Sequence, residues 1–436
     1  MDKVFGVLRG FRELTPEEFE LEKTIVKRAR EVFELYGYQE VGIPTVEPTA
    51  IFEIKSGEEI KHRMFRFTDM GGREVCLRPE GTPAIARMAV TRMRDRPLPI
   101  RLGYVGSMFR YDEPQRGRYR EFLQIGLEMI GSSEPQSDAE IIFAVDMFMK
   151  KLGFREHFIR LGHEGILRGI LGSAGVKEEE QNSILSRIDR GKIEEAFEIY
   201  DKAGGDGAHR KTLKALLEPI AGKGLEKVDR VKGLVEGVNE CRLSLENLIE
   251  IYDILIEGGV ENVNIDVGFA RGLEYYTGMI FEVYCPDIDF ALAGGGRYDK
   301  LLALFGWSVP AVGCAIGADR VALAIREKGV VVDIKRSERV ILASIDKSSL
   351  RYAIQTAKRL REMGVNVALE PLPRPPGSVI NKARKTGARF VFFVGPREVK
   401  ENTISVKDLQ NDVDFVLDPE AVAKVISGRE PQPLSQ

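Results

Sequence analysis

The stretch GYVGSMFRYDEPQRGRYREFLQIGLE, residues 103–128, is dense in groups that could bind an anion. Two β-like arms flank a loop carrying Arg110, Arg116, Arg118 and Arg120, which repels itself unless it is solvated or faces a negative ligand. Arg110 stands apart because it lies in an apolar strand. A buried guanidinium needs a partner there, and a phosphate held bidentately is a natural one. On the return strand Gln124, Gly126 and Glu128 share a face by the period of two. Gln124 and Glu128 are therefore expected to line one pocket, offering an amide and an anion. An inward Glu128 is costly without a cationic or donor ligand.

Three further stretches carry groups of the same kind. In CLRPEGTPAIARM, Glu80 is a second inward carboxylate, and Thr82 either caps the helical run beginning near Pro83 or faces the same pocket. In VGCAIGADRVALA, Arg320 opens an apolar helix, a position equally suited to a surface residue. FARGLEYYTGMIFEVY crowds Arg271, Glu274, Tyr275 and Tyr276 between two strand-like runs, although a plain hairpin often carries tyrosine and arginine. The glycine run 294–296 has no following Lys-Ser/Thr. It therefore reads as backbone lining a pocket floor, not as a phosphate loop.

These residues must be held by something. Thr15, Pro16 and Glu18 form a capping box opening a helix whose apolar positions run from Ile25 to Tyr36 and which stops at Gly37. Short β-like runs and a helix at 136–152 follow, giving an antiparallel sheet with helices on one side, an α+β core. Residues 164–260 are helical with glycine-rich breaks, an insertion within the β-rich domain. Strand-like sequence resumes at 261–330. Beyond a charged joint, RVILASI, VNVALE and RFVFFVG alternate with helices at 348–363 and 376–387, a small α/β domain spanning 338–436. That domain holds 16 Lys+Arg against 12 Asp+Glu, a net of +4, which permits RNA binding without requiring it.

Composition narrows the class. The 436 residues are 43% hydrophobic and 30% charged with a net charge of −3, enough for two or three cores. Four scattered cysteines with no CxxC argue against a zinc site or a disulfide framework and suit a reducing compartment. No stretch approaches the roughly 18 apolar residues of a membrane span. A cytoplasmic protein with no membrane partner is expected.

Together the stretches resemble the class II aminoacyl-tRNA synthetases, and within them the histidyl-tRNA synthetases. The first helix with YGYQEVGIPTVEP is similar to motif 1, the dimer-forming element; GSMFRYDEPQRGRYREFLQIGLE to motif 2; AVGCAIGADRVAL to motif 3. RPEGT and ARGLEYYTGMIFE resemble the two segments that separate histidyl enzymes from their relatives. Residues 338–436 resemble the anticodon-binding domain. The resemblance spans nearly the whole chain, with the helical insertion matching loosely. It implies a class II antiparallel sheet flanked by helices, in two parts (1–163 and 261–330) around the insertion.

The resemblance also implies chemistry. Histidine and ATP, with Mg2+ on the outer phosphates, would give histidyl-adenylate and pyrophosphate; the 3′ end of tRNA(His) would then accept the histidyl group. Arg271 would act on the α-phosphate opposite the incoming carboxylate, and Arg110 and Arg320 would clamp the triphosphate. Glu80, Thr82 and Gln124 would hold the α-ammonium group, while Glu128 and Tyr276 meet the imidazole beside Tyr275. Gln115 and Arg120 would face the acceptor end of the tRNA. Asp112 stands where motif 2 usually has Glu, which leaves its contact to adenine open. No protein metal site is implied, and a homodimer is. The nearest rival is the synthetase-like regulatory subunit of histidine biosynthesis. Such proteins typically lack both the C-terminal domain and the arginine of RGxxYY, and this chain has both.

Overall fold

A computed structural model describes residues 6–53, 62–218, 224–333 and 340–426. The chain divides into two compact units, residues 1–332 and 333–436.

The first helix runs Pro16–Leu35 because its start is closed from both sides. Thr15 accepts from the Glu18 N–H at 3.4 Å, and Glu18 accepts from the Thr15 N–H at 2.9 Å. Its stripe of Leu21, Ile25, Ala29, Val32 and Phe33 is buried within the chain, packed partly on the helix Pro135–Leu152. The chain's own sheet and helices cover this apolar face.

In chain order the first unit has strands β1 (Gln39–Glu40), β2 (Val46–Pro48), β3 (Arg66–Thr68), β4 (Glu74–Leu77), β5 (Ile100–Phe109), β6 (Glu121–Ile130), β7 (Phe158–His163), β8 (Val263–Ile265), β9 (Met279–Tyr284), β10 (Ala293–Arg297) and β11 (Ala311–Gly317). Eight of them form one sheet in the order β1-β5-β6-β11-β10-β9-β7-β8, antiparallel except for the outermost pair at each end. The strands β2, β4 and β3 form a small antiparallel sheet. Between β7 and β8 the described residues are helical, in six helices from Glu164–Ser173 to Asn239–Glu257. One hydrophobic cluster gathers Ile85, Leu102, Tyr104, Tyr275, Tyr276, Tyr298 and Leu301. The rings that face the site are thus fixed by the same packing that holds the sheet.

In the second unit β12 (Val340–Ser344) lies parallel between β13 (Val367–Leu369) and β14 (Phe390–Val394). An antiparallel pair, β15 (Ile404–Asp408) and β16 (Val413–Leu417), extends the sheet. Helices Leu350–Glu362 and Pro376–Thr386 provide the crossovers that parallel pairing requires.

Candidate active site

The long hairpin of β5 and β6, with β9, β10 and β11, floors a cleft of about 580 Å3. Its two ends differ in chemistry. One gathers guanidinium groups; the other gathers carboxylates and phenols.

At the cationic end Arg110, Arg118, Arg271 and Arg320 all line the cleft. Arg110 leaves the end of β5, donates from Nε to the Pro79 carbonyl at 2.8 Å and lies over the Phe122 ring. Arg320, in the first turn of the helix Ala318–Lys328, donates to the Gly117 carbonyl at 3.1 Å and the Ala291 carbonyl at 2.9 Å. Burial, then Arg118 and Arg110, pull its pKa down to about 10. It remains charged at neutral pH, but in a field that its neighbours make unfavourable. A polyanion relieves that repulsion.

Arg271 is held more tightly. Its Nη1 donates to the Phe281 carbonyl at 3.1 Å and lies 3.3 Å from Glu282 Oε1, with the Tyr276 ring beneath it. Burial works against its charge, yet Tyr276, Glu282, Asp189 and Tyr275 outweigh that and raise its pKa. Gly294 lies so close that a Cβ there would overlap the guanidinium. The glycine run is therefore the floor beneath this arginine.

At the other end Glu80 accepts from the Tyr275 hydroxyl at 3.0 Å. Gln124 accepts through Oε1 from the Gly81 N–H and the Tyr104 hydroxyl, both at 3.1 Å. The rings of Tyr275, Tyr276 and Tyr298 meet edge to face at 5.0 and 5.9 Å. Behind them Glu128 is wholly buried, accepting from Thr82 Oγ1 at 2.6 Å and from the Tyr298 hydroxyl. Burial pushes its pKa up to about 8, the two donors opposing and Glu80 assisting. Burial thus favours its neutral form near neutral pH, and in that form the carboxyl donates its proton to one of these two hydroxyls. Gly313 on β11 leaves the space its carboxylate fills.

The structure thus brings Arg110, Asp112, Arg271 and Arg320 together with Glu80, Thr82, Gln124, Tyr275 and Tyr276 along one cleft. Individual side chains stand differently from what the sequence alone suggests. Glu128 shares a face with Gln124 but does not reach the cleft wall, because Thr82 and Tyr298 close over it. Thr82 does not cap its helix; Gly81 holds that position, and the Thr82 hydroxyl serves Glu128. The Tyr275 hydroxyl fixes Glu80. Arg120 is buried, donating from Nε to the Asp112 carbonyl at 3.1 Å, stacked 3.7 Å from the Tyr111 ring centroid and pressed against Gly10. It does not face outward. Gln115 is exposed and lies off the cleft, bridged to Arg118. Asp112 is buried between Arg63 at 3.1 Å and Arg118 at 3.6 Å, so its carboxylate orients arginines.

Sequence reasoning passed over Tyr298, Glu282 and Asp189. Tyr298 directly follows the glycine strand, a signal that could have found it. Asp189 ends a helix far away in the chain and carries no local signal.

Comparisons with known proteins show the family. A histidyl-tRNA synthetase family model matches residues 10–321, and an anticodon-binding domain model matches residues 330–429. The chain is 38% identical over 413 residues to a histidine–tRNA ligase of Sulfolobus acidocaldarius, covering 93% of this chain and 94% of that one. It is 35% identical over 409 residues to the histidine–tRNA ligase of Methanocaldococcus jannaschii, covering 93% and 95%. Among solved structures it is similar to the S. aureus histidyl-tRNA synthetase, with a TM-score of 0.73 at 27% identity over 97% of this chain and 99% of that one.

Proposed function

The chain belongs to the histidyl-tRNA synthetase family, and on that premise we propose how its cleft works. It charges tRNA with histidine, using ATP. The observation that carries the residue assignment is the division of one cleft into an arginine end and a carboxylate–phenol end, bridged by Arg271.

In the proposed arrangement Arg110 and Arg320 clamp the triphosphate, with Arg118 beside them. The imidazole is recognised by Tyr276 and by the Tyr298–Glu128 pair. Glu80, held by Tyr275, supplies the negative charge for the α-ammonium group, with Thr82 and Gln124 around it. Asp112 sets Arg63 and Arg118 and so acts on the nucleotide indirectly. Mg2+ keeps most of its waters and needs one or two carboxylates besides phosphate oxygens. Glu282, which lines the cleft and is shared with Arg271 and the Tyr284 hydroxyl, would supply that carboxylate. Bound there, the ion would offset charge on the outer phosphates.

A histidine carboxylate oxygen attacks the α-phosphorus, and pyrophosphate leaves. Arg271 stabilises the charge that gathers on the α-phosphate oxygens. The terminal ribose hydroxyl of tRNA then attacks the adenylate carbonyl, and AMP leaves. Positioning and fixed charge dominate both steps. Gln115, exposed in the loop between β5 and β6, would meet the acceptor end, and residues 338–436 recognise the anticodon. A cytoplasmic homodimer completes the proposal; among the described residues no helix is long and apolar enough to cross a membrane.

Amino-acid-dependent ATP–pyrophosphate exchange tests this across all twenty amino acids. Exchange with histidine alone is expected. Equal or better exchange with proline, threonine or glycine would overturn it.

A further inference from the structure

The helix Glu178–Asp189 lies in the segment between β7 and β8, and its last residue reaches the cleft. Asp189 Oδ2 accepts from the Gly272 N–H at 2.9 Å, across 83 positions in the chain. Gly272 directly follows Arg271. The approach is tight, since a Cβ on Gly272 would stand 3.0 Å from the same oxygen.

Nothing in the helix itself asks for an aspartate there. A carboxylate at a helix C-terminus faces the negative end of the macrodipole, which disfavours it. The helix is anchored independently, through buried Ile184, Leu185 and Ile188. Its end is therefore a fixed support, and the backbone it supports is that of Arg271.

We propose that Asp189 is a positioning residue for adenylate formation: by holding the Gly272 N–H it fixes the backbone from which Arg271 meets the α-phosphate. The helices between β7 and β8 are then a working part of the first chemical step, apart from any contact they make with tRNA. This rests on the function proposed above. The guanidinium already has Phe281 and Glu282 to set its orientation. Asp189, whose carboxylate also helps sustain the charge on Arg271, sets where its stem begins, which those two partners do not.

Rapid-quench measurement of adenylate formation, with histidine binding measured in parallel, tests the assignment in the full chain. Asp189→Ala is expected to slow adenylation about 10- to 100-fold, the scale of one hydrogen bond to a charged acceptor. Histidine affinity should move less than about threefold, because the contact serves the transition state more than ground-state binding. Asp189→Asn should restore most of the rate, since its carbonyl still accepts from Gly272. Where the alanine variant does not fold, Asp189→Glu is read in its place and is expected to be slow, its extra methylene displacing the carboxylate. An adenylation rate within about twofold of the unmodified protein in Asp189→Ala would overturn the proposal. So would an asparagine variant as slow as the alanine one. Absence of histidine-dependent adenylate in the unmodified protein would instead overturn the function it rests on.

Discussion

The guanidinium of Arg271 stands 3.3 Å from the Glu282 carboxylate while donating to the Phe281 carbonyl at 3.1 Å. Both contacts lie on β9, the strand that follows the arginine's own turn. Arg271 is therefore oriented before any substrate arrives. Preorganisation of this kind is what gives a fixed charge its catalytic value, since no reorganisation is needed as the transition state forms.

Arg271→Ala is accordingly expected to lower the adenylation rate by about 3–4 kcal/mol, roughly 10²–10³-fold, with a much smaller loss of histidine binding. Arg271→Lys should recover little, because an ammonium cannot donate in a fork to carbonyl, carboxylate and phosphate together. Single-turnover kinetics check both variants. A normal rate in the alanine variant would return Arg271 to a structural role in the connection between β8 and β9.

Glu128 supports a prediction about pH. Its pKa is raised from 4.5 to about 8, chiefly by burial. The fold therefore binds a proton that the unfolded chain has already released in this range. The stability this proton contributes is complete below about pH 4.5 and is lost as the pH rises toward about 8. Glu164, also raised to about 8, and Asp138, raised to about 7, act with the same sign and would obscure the effect in the unmodified protein. The comparison with Glu128→Gln isolates it. Without histidine, the variant should gain stability relative to the unmodified protein across that range, followed by urea unfolding at several pH values. A difference that stays flat with pH would mean that Glu128 is already ionised in the fold.

What the sequence showed and what it hid follow from how far each contact reaches along the chain. The Thr15–Glu18 capping box is local, and its spacing reads directly. The shared face of Gln124 and Glu128 is also local, because strand alternation fixes it. What lies over that face is not local: Thr82 and Tyr298 come from elements 46 and 170 residues away from Glu128. Arg120 misleads for the same reason. In a loop of arginines it looks like one more solvent-facing cation, but Gly10 and Tyr111 take its stem and guanidinium into a packed position. The pair β15 and β16 shows a different limit. ISVKD alternates cleanly but is only five residues long, and its partner VDFVL across a short turn is partly exposed with little periodic signal beside the apolar β14.

The second unit allows the two halves of the reaction to be separated by deletion. Its core of Val340, Leu342, Leu360, Phe390, Phe392 and Val422 is drawn entirely from its own residues. All the cleft residues named above lie within residues 1–332. A chain ending at residue 332 should therefore keep its cleft and most of its histidine-dependent pyrophosphate exchange. Charging of tRNA should fall steeply, because anticodon recognition contributes affinity that the acceptor end alone does not supply. Much of that affinity comes from phosphate contacts and should weaken with salt. In the full chain, raising the salt concentration should therefore depress charging more than exchange; in the truncated chain the residual charging should depend less steeply on salt. Exchange and charging assays run side by side at two ionic strengths decide the matter. Undiminished charging by the truncated protein would remove the anticodon-reading role from residues 338–436. Loss of exchange and charging together would mean that the cleft depends on the second unit.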